Sequence, residues 1–162
     1  MYLSRVFISK DADIVMRDHA IDGIPNEIGG HLLGIPCFSK GYHYLWVVMA
    51  IPGDCISSRA NVVIQSSTYD RTWNYVERDK LAVVGWYHTH PNIGIFLSST
   101  DITTCMMYYR KPYQIAIVID PIRDHRGVFG WSNEKSEHLS DVNASLYIGD
   151  NFYKFFKKKD IY

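Results

Sequence analysis

Hydrophobic and polar positions along the chain fall into short runs whose period switches between the two of a strand and the 3.6 of a helix. Residues 2–8 alternate weakly and predict a short strand, and Ser9 is placed to cap a helix over residues 10–21. Ile14, Val15, Asp18 and Ile21 make that helix partly amphipathic, and Gly23 and Pro25 end it. Residues 27–38 and 42–51 predict two strands joined by Ser39-Lys40-Gly41. Pro52-Gly53-Asp54 breaks the pattern, and residues 55–67 form a polar loop with room for a strand at 61–65. A helix is predicted over 68–80, its stripe of Tyr69, Trp73 and Val76 assigned to the core and Glu77, Arg78 and Asp79 to solvent. The run Leu81-Ala82-Val83-Val84 opens a buried strand, and residues 99–109 form a second amphipathic helix carrying Ile102, Cys105 and Met106. The apolar strand at 113–119 stops at Asp120-Pro121 and pairs with 126–131 through the turn at 122–125.

This order of elements predicts an α+β single domain, a curved mixed β-sheet flanked by helices. The domain is expected over residues 1–140, with 141–162 a C-terminal extension docked on it through Leu146, Tyr147, Phe152, Tyr153, Phe155 and Phe156. At 162 residues the chain can bury ~70% of the surface that its unfolded form exposes, enough for one core. With 17 basic and 17 acidic residues nothing global recruits nucleic acid or an anionic membrane, so the basic end, Lys154 and Lys157 to Lys159, reads as solvated. The start has no uninterrupted apolar core of a signal peptide, and no apolar run approaches the ~20 residues that span a bilayer. Cys37, Cys55 and Cys105 are odd in number and widely spaced, which predicts free thiols in a reducing, cytoplasmic setting.

Chemistry concentrates in residues 85–101, GWYHTHPNIGIFLSSTD. His88 and His90 lie two apart on the predicted strand and so share a face, while Thr89 points away. Pro91 ends the strand, residues 92–97 form a loop, and Ser98-Ser99-Thr100-Asp101 enters a helix. Taken alone, the two histidines read equally as a hydrogen-bonded structural pair, and Ser98 with Asp101 as a capping box. Together they form an N,N,O set, the donors of a catalytic zinc that keeps its fourth position for water. Upstream, Glu27 opens the segment Glu27-Ile28-Gly29-Gly30-His31-Leu32-Leu33-Gly34; alone it reads as a strand-edge charge, and aimed inward it is a base for that water. His19, His43, His125 and His138 lack partners at ligand spacing, and His31 lies near enough to Glu27 for a supporting role.

Glu27 followed by Gly-Gly and Leu-x-Gly, then His88-Thr89-His90-Pro91, six further residues and Ser98-x-x-Asp101, resembles the signature of the JAMM (MPN-plus, JAB/Mov34) zinc metalloproteases, compact prokaryotic type. The resemblance covers roughly residues 27–131. It implies a JAMM/MPN fold with cytidine-deaminase-like layering and an isopeptidase or peptidase acting on ubiquitin, a ubiquitin-like protein or its conjugates. It also implies that His88, His90 and Asp101 ligate one zinc, that Glu27 is general base and acid, and that Ser98 steadies the tetrahedral intermediate. In such a family residues 53–67 would pair with the modifier's tail, while the second specificity insertion is nearly absent, because little more than one helix separates Asp101 from Tyr113. Processing of a sulfur-carrier-like protein, a metal-free scaffold role and a partner subunit stay open. No Cys-x-x-Cys exists for a nucleoside deaminase, the run after Pro91 lacks the Asp-His of metallo-β-lactamase-type hydrolases, and an amidohydrolase barrel needs ~200 residues or more.

Overall fold

The middle of the molecule is set by strands with no polar face. Residues 29–34 and 84–90 are buried without exception, as is the whole of residues 115–120, so these segments lie inside a sheet covered on both sides. The computed structural model describes residues 3–132 and 139–148. In chain order its elements are β1 (Leu3–Ser9), α1 (Lys10–Gly23), β2 (Gly29–Ser39), β3 (Tyr42–Pro52), β4 (Cys55–Ser57), β5 (Val62–Ile64), α2 (Ser66–Asp79), β6 (Ala82–Thr89), α3 (Ser99–Tyr108), β7 (Ile115–Asp120), β8 (His125–Trp131), β9 (Leu139–Asp141) and β10 (Ala144–Tyr147). Eight strands form one sheet in the order β10-β1-β3-β2-β6-β7-β8-β9, and β4 and β5 form a separate hairpin. The β10–β1, β1–β3 and β6–β7 pairs are parallel and the others antiparallel. The architecture is therefore a single α+β domain with a curled mixed sheet and, among the described residues, three helices.

The sheet needs a bend where β2 meets β6. The register shifts between Leu32 and Leu33, opposite Gly85, which has φ +148°. A Cβ at Gly85 would lie 2.0 Å from the Ile115 carbonyl oxygen, so only glycine admits β7 this close.

One face of the sheet carries α1, whose Ala12, Met16 and Ala20 pack on Val6, Ile8, Leu32, Leu45, Val47, Val84 and Ile117. The opposite face packs Trp86, Ala116 and Trp131 against Cys105 and Tyr109 of the α3 segment. Beside it, Leu33, Ile51 and Leu81 meet Tyr75 and Val76 of α2.

Three helix faces differ from the sequence expectation. Ile14 and Ile21 are 54% and 58% exposed, because α1 meets the sheet through Ala12, Met16 and Ala20 and buries Asp13, which pairs with Arg126 of β8. Tyr69 and Trp73 of the expected core stripe are 45% and 58% exposed. Val76 of that stripe does pack on the core, but the fully buried positions of α2 are Thr68 and Thr72: Thr68 Oγ1 accepts from Asp54 N at 2.8 Å and Thr72 Oγ1 meets His31 Nδ1 at 2.7 Å. On α3 the buried stripe is Asp101, Cys105 and Tyr109, four apart on one helical face, while Ile102 and Met106 are exposed. In each case the inward face carries a polar side chain that has a partner on another element.

Other expectations differ in detail. Glu27 precedes β2 rather than opening it, and the polar loop holds a hairpin, β4 with β5, rather than one strand. Ser9 caps α1 as expected, its hydroxyl accepting from Ala12 N at 3.0 Å. At the C-terminal side β10 adds to the edge at β1, bringing Leu146 and Tyr147 to the sheet. Phe152, Tyr153, Phe155, Phe156, the lysines at 154 and 157–159, and His138 lie outside the described residues. No described helix is long and apolar enough to cross a membrane.

Candidate metal centre

β6 delivers the two imidazoles. His88 pairs with Gly29 on β2 and Val118 on β7, so it emerges from the middle of the sheet, with 0% exposure; His90, 1% exposed, follows just past the strand end. The chain then has to return. Its turn is pinned by Asp120, whose 0% exposed carboxylate accepts from the backbone of Asn92, Ile122 and Arg123 through Oδ1 and of Gly94 through Oδ2, at 3.0–3.1 Å. Burial alone would raise the Asp120 pKa; the four amide donors outweigh it and hold it low.

The return delivers Ser98 and Asp101 as a capping box. Ser98 Oγ accepts from Asp101 N at 3.2 Å, and Ser98 N donates to Asp101 Oδ2 at 2.7 Å. That same Oδ2 faces His88 Nε2 at 3.2 Å and His90 Nε2 at 3.4 Å. Capping and facing the imidazoles are thus the work of one oxygen. Burial would push Asp101 up, but the two imidazoles and Ser98 hold it far below the usual carboxylate range. Burial lowers His88. Burial also works against His90, yet Asp101 and Glu27 outweigh it and raise its pKa.

These donors fit a metal ion. Ligand atoms of His88, His90 and Asp101 all lie within 4.8 Å of one another. Tetrahedral zinc with bonds of about 2.0–2.1 Å sets its donors about 3.3 Å apart, and the two Asp101–imidazole separations of 3.2 and 3.4 Å match that edge. His88 Nδ1 is buried without a hydrogen-bond partner among the described residues, its ring plane fixed instead by Trp86, stacked at 4.2 Å and 13°. A 5% exposed carboxylate beside two buried imidazoles is costly without a cation, and two neutral imidazoles with one carboxylate leave a divalent ion a net positive charge.

Glu27 joins the group from the far side. It is 5% exposed, with Oε1 4.0 Å from His90 Nε2. Burial raises its pKa, with Asp101 adding to that and His90 opposing it. Its backbone is held by residues that spacing did not single out. Glu27 N donates to Ser58 O of the β4–β5 hairpin at 2.8 Å, and Ile28 N donates to Thr89 Oγ1 at 2.9 Å while Thr89 N donates back to Ile28 O. Thr89 does point away from the imidazoles, and from there it ties the Glu27 segment to β6. His31, in contrast, turns towards α2 and not towards Glu27.

Fold and site together define a protein that gathers a buried N,N,O donor group and a further carboxylate at one end of a mixed sheet. The chain belongs to the JAB1/Mov34/MPN/PAD-1 ubiquitin protease family, whose model matches residues 2–112. It is 38% identical over 132 residues to COP9 signalosome complex subunit 5a of Arabidopsis thaliana, covering 75% of this chain and 35% of that one. It is 36% identical over 127 residues to the ubiquitin carboxyl-terminal hydrolase RPN11 of Saccharomyces cerevisiae, covering 75% and 40%. The chain therefore spans well under half the length of these relatives. A solution structure of a protein from Desulfitobacterium hafniense shares the fold at a TM-score of 0.64 and 17% identity, covering 89% of this chain and 94% of that one.

Proposed function

We propose that the protein is a zinc-dependent isopeptidase or peptidase cleaving after the C-terminal tail of ubiquitin or a ubiquitin-like modifier. The observation that carries this reading is the Glu27 carboxylate, inward and 4.0 Å from His90 Nε2, beside three donors spaced for one cation. His88, His90 and Asp101 would hold the zinc, which when bound supplies a Lewis acid and an acidified water.

The chain's own groups supply the rest. Glu27 takes a proton from the attacking water and gives it to the leaving amine, a lysine side chain in an isopeptide. Its burial, which raises its pKa, suits it to hold that proton between the two transfers. The Ser98 hydroxyl oxygen already accepts from Asp101 N, so its own proton is left to donate to the developing oxyanion. No covalent enzyme intermediate is needed, and the three cysteines take no part. The odd number and wide spacing of the cysteines support a cytoplasmic setting.

Substrate choice is read from the surroundings. The β4–β5 hairpin lies against Glu27 and exposes Ile56 by 66% and Val63 by 53%, a short edge on which an extended modifier tail can add as a strand. Only residues 109–114 separate α3 from β7, which favours recognition of one tail over discrimination between linkages. A sulfur-carrier-like precursor would present the same kind of tail. The relative in the COP9 signalosome complex makes a partner subunit the natural place to look for regulation.

The test is incubation of purified protein with candidate modifier fusions and isopeptide conjugates, with and without a chelator. Chelator-sensitive cleavage after the modifier's last residue, lost in Glu27→Gln, is the expected result. Cleavage that survives both metal removal and Glu27→Gln overturns the reading, and a metal-loaded protein that cleaves no modifier favours the scaffold role.

A further inference from the structure

On the face that carries His88, but displaced along the strands, α2 and the α3 segment enclose a cleft of about 390 Å³ whose lining includes His31, Tyr69, Thr72, Trp73, Tyr109 and Gln114. That volume lies in the range of small-ligand sites, ~300–1,000 Å³. His31 forms its floor, 1% exposed, paired in register with Trp86. Trp86 stacks on His88 on one side and on Tyr109 on the other, so an aromatic layer separates this cleft from the metal centre.

The protonation of His31 follows from its partners. Thr72 has one hydroxyl proton and gives it to Thr68 O at 2.8 Å. Thr72 Oγ1, 2.7 Å from His31 Nδ1, must then accept, which puts the imidazole proton on Nδ1 and leaves Nε2 as a bare acceptor. Nε2 is buried and has no partner among the described residues. Burial keeps the ring neutral by lowering its pKa to about 4.

Two side chains beside it that could donate are turned to other partners. Trp73 Nε1 bonds Glu77 at 2.9 Å, and the Gln114 side chain bridges Val83 O and Lys111 N at 3.0 Å each. No second metal-ligand group exists here, since among the described residues only His88, His90 and Asp101 cluster. Around the mouth Tyr69, Trp73 and Tyr108 are 45%, 58% and 60% exposed, an aromatic surface larger than a helix facing water needs. Tyr69, edge-on to His31 with ring centroids 4.5 Å apart, is the side chain that an incoming group must pass.

We infer that this cleft is a second binding site, for a neutral aromatic group carrying one O–H or N–H donor, of the phenol or indole kind. The aromatic rim takes the ring, and the donor satisfies His31 Nε2. The group sits behind the Trp86–Tyr109 layer, and its binding does not depend on the metal.

The test is titration of the ¹⁵N-histidine-labelled protein with p-cresol and with p-xylene, which replaces the hydroxyl by a methyl. A site with an unpaired buried acceptor should favour p-cresol by about ten- to a hundredfold. The His31 Nε2 resonance should move with p-cresol alone, and to the same extent in chelated and zinc-loaded protein. His31→Leu should bring the two ligands to equal affinity, and Trp73→Ala, at an exposed position, should weaken both. Where His31→Leu does not fold, the wild-type comparison decides. Equal affinity of the two ligands, an unmoved Nε2 resonance, or a preference that persists in folded His31→Leu overturns the inference. A Gly-Tyr-Gly peptide that binds as p-cresol does identifies the source as a tyrosine on a protein; binding of p-cresol alone identifies a free small molecule.

Discussion

Two corners on one face of the sheet each bury imidazole, and they give it different partners. At the end of β6, His88 and His90 converge on Asp101 Oδ2 at 3.2 and 3.4 Å, with Glu27 close by. At the α2 corner His31 has a hydroxyl, Thr72, and no carboxylate. Burial alone drives an imidazole neutral, and a carboxylate within hydrogen-bond reach is what prepares the pair for a cation. The corners share strands, burial and residue type; the helix that returns to each one, and what it carries inward, makes the difference.

The largest break in that comparison is removal of the proposed proton acceptor. Glu27→Gln keeps size and hydrogen bonding, so zinc content should stay at the wild-type level while turnover falls about 10²- to 10⁴-fold. Steady-state cleavage of a modifier fusion alongside elemental analysis reads both. Ser98→Ala should lower turnover about 10²- to 10³-fold by losing the proposed oxyanion donor, and cost about 1 kcal/mol of stability through the lost cap. Glu27→Gln has no cap to lose, so equal melting points in the two variants would argue against the capping contribution.

The α2 corner has its own signature in pH. His31 protonates near 6.5 when unfolded but at about 4 when folded, so between those values the unfolded state binds more protons. Its contribution to stability is complete above pH 6.5 and drains away as pH falls towards 4, by up to about 3 kcal/mol. Chelated wild type should therefore lose urea resistance over that window more steeply than chelated His31→Gln. Parallel slopes would remove the distinction drawn between the corners. Thr89→Val leaves Ile28 N without its acceptor and should cost about 1–3 kcal/mol, seen as a lower urea midpoint. Smallest of all, joint replacement of Cys37, Cys55 and Cys105 by alanine should leave turnover unchanged, and a collapse in folded protein would point to thiol chemistry.

The sequence was informative where burial is two-sided or where chemistry imposes spacing. β2, β6 and β7 were readable because a strand covered on both faces is apolar throughout, and the family could be recognised from Glu27, His88, His90, Ser98 and Asp101. Helix faces were misread. Ile14, Tyr69, Trp73, Ile102 and Met106 satisfy helical spacing, but Asp13, Thr72 and Asp101 won the inward positions through Arg126, His31 and the two imidazoles. Such partners are 41 to 113 residues away for the first two, beyond any local window. Thr89 and Asp120 act on backbone amides of distant segments, and no side-chain motif announces that role. The cleft above His31 is hidden for the same reason, since the hydroxyl that sets the tautomer of its floor comes from Thr72, on a helix whose spacing predicts an aromatic core.

The most direct test of the metal centre is elemental analysis of wild type and Asp101→Asn after identical purification and dialysis against zinc. One zinc per wild-type chain and none in Asp101→Asn is the predicted result, because the amide removes the anionic oxygen that both imidazoles face. Cleavage by wild-type protein free of any transition metal, or a full complement of zinc in Asp101→Asn, would contradict it.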